Sequence, residues 1–255
     1  MTTTASGGSG SQRARGGGTP PRGARSAAAG RRLPSTTVML TIVMLLAGVV
    51  VVVAAIAATN PGGGTGTGIV QPAHPKPVEL RDGRSLGDRD APVKIEVWAD
   101  FQCPVCARFG DTIEPPLVDS MIADGTVRMT FRDLAFLGPE SLDAAVGARA
   151  AGALADKFWD YHDLLFANQA GENRGGFARD RLADLAVSLG IDRDDFLAAL
   201  DDPTLRQQVL DETAAGRAAG IDRTPTLTIG GRAYSGLPSW QQLKSVLEEL
   251  AGRGA

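Results

Sequence analysis

Cysteine is scarce in this chain of 255 residues, which holds only Cys103 and Cys106. Histidine is equally rare, at His74 and His162, and lysine occurs only at positions 76, 94, 157 and 244. Each shortage excludes something. A crosslink between thiols so close in sequence closes a nearly minimal loop, so its chain-entropy benefit is small. A four-ligand zinc site built on the two thiols would have to recruit carboxylates or distant histidines. No histidine follows Cys106, which argues against haem attachment. There is no internal repeat and no segment dedicated to dimerisation.

The first 37 residues lack acids entirely and carry six arginines, Arg13, Arg15, Arg22, Arg25, Arg31 and Arg32, while the whole chain has a net charge of −3. A basic tail therefore precedes an acidic body. Residues 1–37 are also almost without large apolar side chains, so they cannot bury enough surface to fold and are predicted to be disordered. Without interleaved aromatics the arginines make a poor base-stacking platform, so no nucleic-acid partner is expected.

Charge is missing again from residues 38–58, Val38 to Ala58, which are apolar throughout. As a helix this run would reach about 31 Å, enough to span the hydrocarbon core. A cleaved signal peptide is the rival reading, with Ala55-Ile56-Ala57 as the cleavage site, but such apolar regions usually run to about 7–15 residues. The expectation is an uncleaved single-pass anchor in the cell membrane. The arginines keep the tail cytoplasmic and place the body outside. Residues 59–85, rich in Gly, Pro and Thr at their start, are predicted to be a flexible linker. A folded domain is expected over 86–253.

Within that domain, "PVKIEVWA" (92–99) reads as a buried strand. Pro104 suits the first turn of a helix opening beside Cys103. That helix is predicted to continue to about residue 125, with a kink or break at Pro115-Pro116. "TVRMTFRDL" (126–134) alternates as a second strand. Residues 139–220 carry helical spacing, with Asp192 and Asp202 as N-caps and Gly190 and Gly220 as stops. Two strand-like runs then flank Gly230-Gly231, which reads as a tight hairpin turn, and an amphipathic helix closes the chain. The fold class is α/β with a helical insertion, preceded by one transmembrane helix.

The remaining reading of "VWADFQCPVCARFG" (97–110) is a redox pair. At a helix N-terminus, unpaired N–H groups and the helix dipole stabilise a thiolate. Such a site can lower a thiol pKa from about 8.5 to roughly 3.5–7.5. Cys106, one turn further on, would be more buried and could resolve a mixed disulfide. The predicted location outside the cytoplasm permits such chemistry.

Three segments in order carry a family resemblance. "DAPVKIEVWADFQCPVCARF" resembles the active-site segment of DsbA-like thiol–disulfide oxidoreductases of the thioredoxin superfamily, especially the membrane-anchored bacterial type. "KFWDYHDLLFANQ" (157–169) is similar to part of that family's helical insertion, and "GIDRTPTLTIGGRAYSG" (220–236) to its cis-proline loop and hairpin. The resemblance implies a thioredoxin fold with the helical block of about 139–220 as its inserted domain. It makes Cys103 and Cys106 catalytic, within an active-site motif that includes Pro104 and Val105. It further implies a cis peptide at Thr224-Pro225 that offers backbone to an extended substrate.

One departure concerns the buried acid common in such proteins six positions before the first cysteine, where this chain has Val97. Glu96 and Asp100 are the neighbouring candidates for handling the Cys106 proton, although Asp100 could simply cap the helix. His162, flanked by Phe158, Trp159, Leu165 and Phe166, reads as a packing or surface residue.

The expected function is disulfide oxidation in secreted or membrane proteins, with no metal and no cofactor beyond the redox-active Cys103–Cys106 disulfide. The partners implied are reduced or unfolded secreted substrates and a quinone-linked membrane protein that re-oxidises the pair. An extracytoplasmic reductase, as in cytochrome c maturation, and a membrane-tethered holdase or metal-binding module remain alternatives.

Overall fold

A computed structural model describes residues 68–254, together with Met44. The chain separates into Met1–Gly64 and Thr65–Ala255, and the architecture below belongs to the second unit. Six strands form one sheet in the order β1-β2-β4-β3-β5-β6. They are β1 (Arg81–Asp82), β2 (Ser85–Leu86), β3 (Val93–Ala99), β4 (Val127–Asp133), β5 (Thr226–Ile229) and β6 (Arg232–Ser235). The central pair β3–β4 is parallel, with Val97 opposite Phe131, and β5 runs antiparallel to β3.

Strand periodicity places Val93, Ile95, Val97 and Ala99 of β3 in the main core with Val127, Met129 and Phe131 of β4. The β3–β4 connection carries α1 (Pro104–Thr112), α2 (Glu114–Leu117) and a π-helical turn at Val118–Ile122. The break falls at Ile113, just ahead of the two prolines. Pro115 and Pro116 have no N–H to give to the preceding turn, so they sit where a helix can tolerate them, in the first turn of α2.

The helical block comprises α3 (Pro139–Ala155), α4 (Phe158–Ala167), α5 (Arg179–Ser188), α6 (Arg193–Leu200) and α7 (Pro203–Ala218). Asp192 and Asp202 cap α6 and α7 by accepting from the N–H groups that follow them. Helix α7 approaches the sheet at Gly216, where an added Cβ would lie 2.7 Å from the Trp98 ring. Only glycine permits that contact. Gly230 and Gly231 both have positive φ, as the two-residue hairpin between β5 and β6 requires. Helix α8 (Trp240–Gly254) packs on β3 and α2.

A second bond between sheet and block is electrostatic. Asp133, at the buried end of β4, pairs with Arg84 and with Arg149 of α3. Glu212 of α7 accepts from Arg84, Arg132 and Arg149 and from the Asp133 backbone N–H. Arg132 also binds Glu96. Burial pushes the Asp133 carboxyl up to about 6, against the pull of Arg149 and Arg84.

The linker expected over 59–85 is corrected from about Val70 onward. Val70 donates to Asn168 at 2.9 Å and accepts from it at 2.8 Å. Residues 81–86 form the β1–β2 hairpin, which extends the sheet beyond β4. Lys76 is 5% exposed, and its Nζ lies 2.8 Å from Glu114 and 3.0 Å from Asp163. Burial alone would lower the Lys76 pKa, but the two carboxylates hold it above its ordinary value. An ammonium can be buried at such a site only because its charge is paired.

The apolar run 38–58 lies outside the described residues apart from Met44. Among the described residues no helix is long and apolar enough to cross a membrane.

Replacing Lys76 with Ala leaves Glu114 and Asp163 buried without their cation. Urea unfolding of the Lys76→Ala protein should show a loss of about 3–5 kcal/mol. A residue in a free tether would change stability by no more than about 0.5 kcal/mol.

Candidate active site

The site lies where β3 ends and α1 begins. Cys103 is the N-cap residue of α1 and keeps an extended backbone, with Pro104 in the first helical position. Its carbonyl accepts from the N–H groups of Cys106 and Ala107, at 3.1 and 3.2 Å. Pro104 is exposed and Val105 half-buried, while Cys106 turns inward against the core, 2% exposed. Both cysteines are free thiols.

Opposite them the chain returns in the Thr224–Pro225 segment, whose peptide bond is cis. The Cys103 thiol donates to the Thr224 carbonyl at 3.6 Å. Gly236 closes the segment from behind by donating to the Pro225 carbonyl at 2.8 Å. Residues from two distant parts of the sequence thus meet at one sulfur.

The two thiols are driven apart in acidity. A hydrogen bond from the Cys106 side chain is the largest influence on Cys103. The Val105 and Cys106 backbone N–H groups add to it, and together they outweigh burial and bring the Cys103 pKa down to about 6. Burial chiefly pushes the Cys106 thiol well above its ordinary value, and the neighbouring Cys103 charge pushes it further. At neutral pH the pair is one thiolate and one thiol. That division suits a nucleophile with a resolving partner.

Neither candidate proton carrier has an idle carboxylate. Glu96 accepts from Arg132 at 2.6 Å and from the Thr228 hydroxyl at 2.8 Å. Asp100 is buried, and its carboxylate accepts from the N–H groups of Gln102, Phe136 and Leu137 at 2.8, 2.9 and 3.1 Å. It does not cap α1, which starts at Cys103; it ties the active-site turn to the loop after β4.

His162 is 1% exposed and stands among the rings of Phe101, Phe131, Trp159 and Phe166, with Nδ1 2.8 Å from Asp163. It is a core residue beneath the turn, not a base at the sulfurs. Glu114, His162 and Asp163 are the one group among the described residues whose ligand atoms cluster as a metal site would. The Lys76 ammonium already pairs with both of its carboxylates, and neither cysteine belongs to it.

Sequence reasoning passed over Gln102 in the turn itself and Ser141, Gln169 and Asn173, which hold the turn from outside it. Gln102 directly precedes Cys103, and its buried side chain donates to Ser141 at 2.8 Å. Gln169 follows α4 and donates to the carbonyls of Phe101 and Cys103. An uncharged amide two residues past the end of a helix carries no signal of this.

The thioredoxin family matches this chain over residues 79–249. Disulfide bond formation protein D of Bacillus subtilis (strain 168) is 29% identical over 171 residues, covering 66% of this chain and 77% of that protein. The crystal structure of oxidised BdbD from Bacillus subtilis superposes with a TM-score of 0.62 at 26% identity, covering 72% of this chain and all of that one. The thiol-disulfide exchange protein alpha-DsbA2 of Wolbachia pipientis gives a TM-score of 0.56 at 26% identity, covering 65% and 86%. The chain therefore belongs to the thioredoxin family. Within it, this is a thiol–disulfide oxidoreductase of the DsbA/BdbD type.

The acidity of Cys103 is directly measurable. The thiolate absorbance of the reduced protein, followed against pH, should rise with a midpoint near 6. In Cys106→Ala, which removes the largest stabilising hydrogen bond, the midpoint should move up toward the ordinary thiol range.

Proposed function

We propose that this enzyme is an extracytoplasmic, membrane-anchored oxidase that introduces disulfides into secreted or membrane proteins through Cys103-Pro104-Val105-Cys106. The observation that carries the reading is the Cys103 sulfur at the N-cap of α1, beside the Cys106 thiol and the first-turn N–H groups that lower its pKa to about 6. These donors favour the thiolate, and a stabilised reduced form makes a dithiol pair oxidising. The apolar run 38–58 behind its arginines supports an anchor with the catalytic domain outside.

The reaction begins with the Cys103–Cys106 disulfide. A substrate thiolate attacks Cys103 Sγ, and the S–S bond breaks with its electron pair leaving on Cys106, which takes up a proton. A second substrate thiolate then attacks the substrate sulfur of the mixed disulfide. Cys103 departs as the thiolate, a good leaving group at its lowered pKa. The substrate has gained a disulfide, and the pair holds its two electrons.

The Thr224 backbone, beside Cys103, is the part that would pair with an extended substrate chain. Turnover requires the pair to be re-oxidised, and a quinone-linked membrane protein next to the anchor fits that need. Val105 adds neither charge nor a side-chain hydrogen bond, so the pair should be a milder oxidant than the strongest of its class.

Equilibration of the full-length chain with glutathione buffers measures this directly. A reduction potential between about −120 and −180 mV is expected. A value near about −270 mV, where thioredoxin lies, would instead make the protein a reductase.

A further inference from the structure

The turn before Cys103 is gripped by the helical block from two sides. Gln169 spans it with one carboxamide, its Nε2 donating to the Phe101 carbonyl at 2.6 Å and to the Cys103 carbonyl at 3.1 Å. Gln102, between those two carbonyls, reaches outward. It donates to the Ser141 hydroxyl at 2.8 Å, and its Oε1 accepts from the Asn173 N–H at 2.5 Å. Asn173 in turn donates to the Leu137 carbonyl at 2.8 Å. The segment 169–173 is thus one platform that meets the active-site turn at three consecutive residues.

The Cys103 carbonyl is already the acceptor for the first two N–H bonds of α1. Carbonyl oxygens carry partial negative charge, and two of them flank the residue whose sulfur must become an anion. A carboxamide N–H₂ placed on both opposes that charge and fixes the Cys103 peptide plane. Packing alone would ask only for an apolar side chain of the same volume; a donor fork is an electrostatic feature.

We infer that Gln169 is a positioning residue for thiol–disulfide exchange, setting through the Phe101 and Cys103 carbonyls how strongly the site favours the reduced pair. The inference rests on the redox reading of Cys103 and Cys106. It gives the helical block a role in tuning the pair as well as covering it.

Two variants of the full-length chain separate this from simple packing. Gln169→Met keeps the volume and removes both donors, and Gln169→Glu keeps the shape and sets a carboxylate against the two carbonyls. The readouts are the equilibrium constant with glutathione, the pH midpoint of the Cys103 thiolate and urea unfolding of the oxidised form. In the Met variant the equilibrium should shift toward the disulfide by about two- to twelvefold, the equivalent of one neutral hydrogen bond. The thiolate midpoint should rise with it. The Glu variant should move both in the same direction and further.

A Met variant with the wild-type equilibrium and thiolate midpoint would overturn the inference, whatever the Glu variant does. Changes confined to the unfolding midpoint would do the same. If the wild-type pair itself fails to exchange with glutathione, the redox reading falls as well, so the two failures are distinguishable.

Discussion

A thiolate stable near neutral pH inside a folded protein needs donors fixed in place, because burial by itself favours the neutral thiol. Here those donors are the Cys106 thiol and the N–H groups that open α1. They lie beside the Cys103 sulfur because the helix starts at that residue. Pro104 helps to set the start, since it supplies the helical φ of the first position without wasting a donor. The parallel β3–β4 pair delivers the turn to the carboxyl end of the sheet, and the Thr224–Pro225 segment meets it there.

The surrounding structure pays heavily in buried charge to hold that geometry. Asp100 spends its carboxylate on three backbone N–H groups, which locks the turn to the loop after β4. The Arg84–Asp133–Arg149–Glu212 network joins the sheet to α3 and α7. Lys76 joins the arm before β1 to α2 and α4 through Glu114 and Asp163. Hydrophobic replacements of such pairs often stabilise a fold. What the charges contribute is discrimination, because only one arrangement of arm, sheet and block leaves none of them unpaired.

Much of this was legible in the sequence, for physical reasons that differ by residue. Strands β3 and β4 announce themselves by alternating apolar side chains, and Asp192 and Asp202 stand at helix starts where their oxygens are needed. Cys103 and Cys106 were readable because few chemistries use two thiols at that spacing beside a strand end. The arm at 68–85 was not readable. Its composition is that of a tether, and Lys76 reveals its burial only through Glu114 and Asp163, both distant in sequence. Gln102 and Gln169 were hidden for the same reason. A neutral amide has no local signature, and its partners are backbone carbonyls and side chains far along the chain.

The central claim is that the fold stabilises the reduced pair more than the disulfide. Urea unfolding of the full-length protein at pH 7, oxidised and reduced in parallel, tests it most directly. The reduced protein should be the more stable, because its lowered Cys103 pKa contributes stability that is partly present at pH 7 and grows toward the unfolded thiol range, about 8.5. That contribution should fade as pH falls through about 6. An oxidised form that is the more stable at pH 7 would contradict the account, since the disulfide would then be the state that the fold protects.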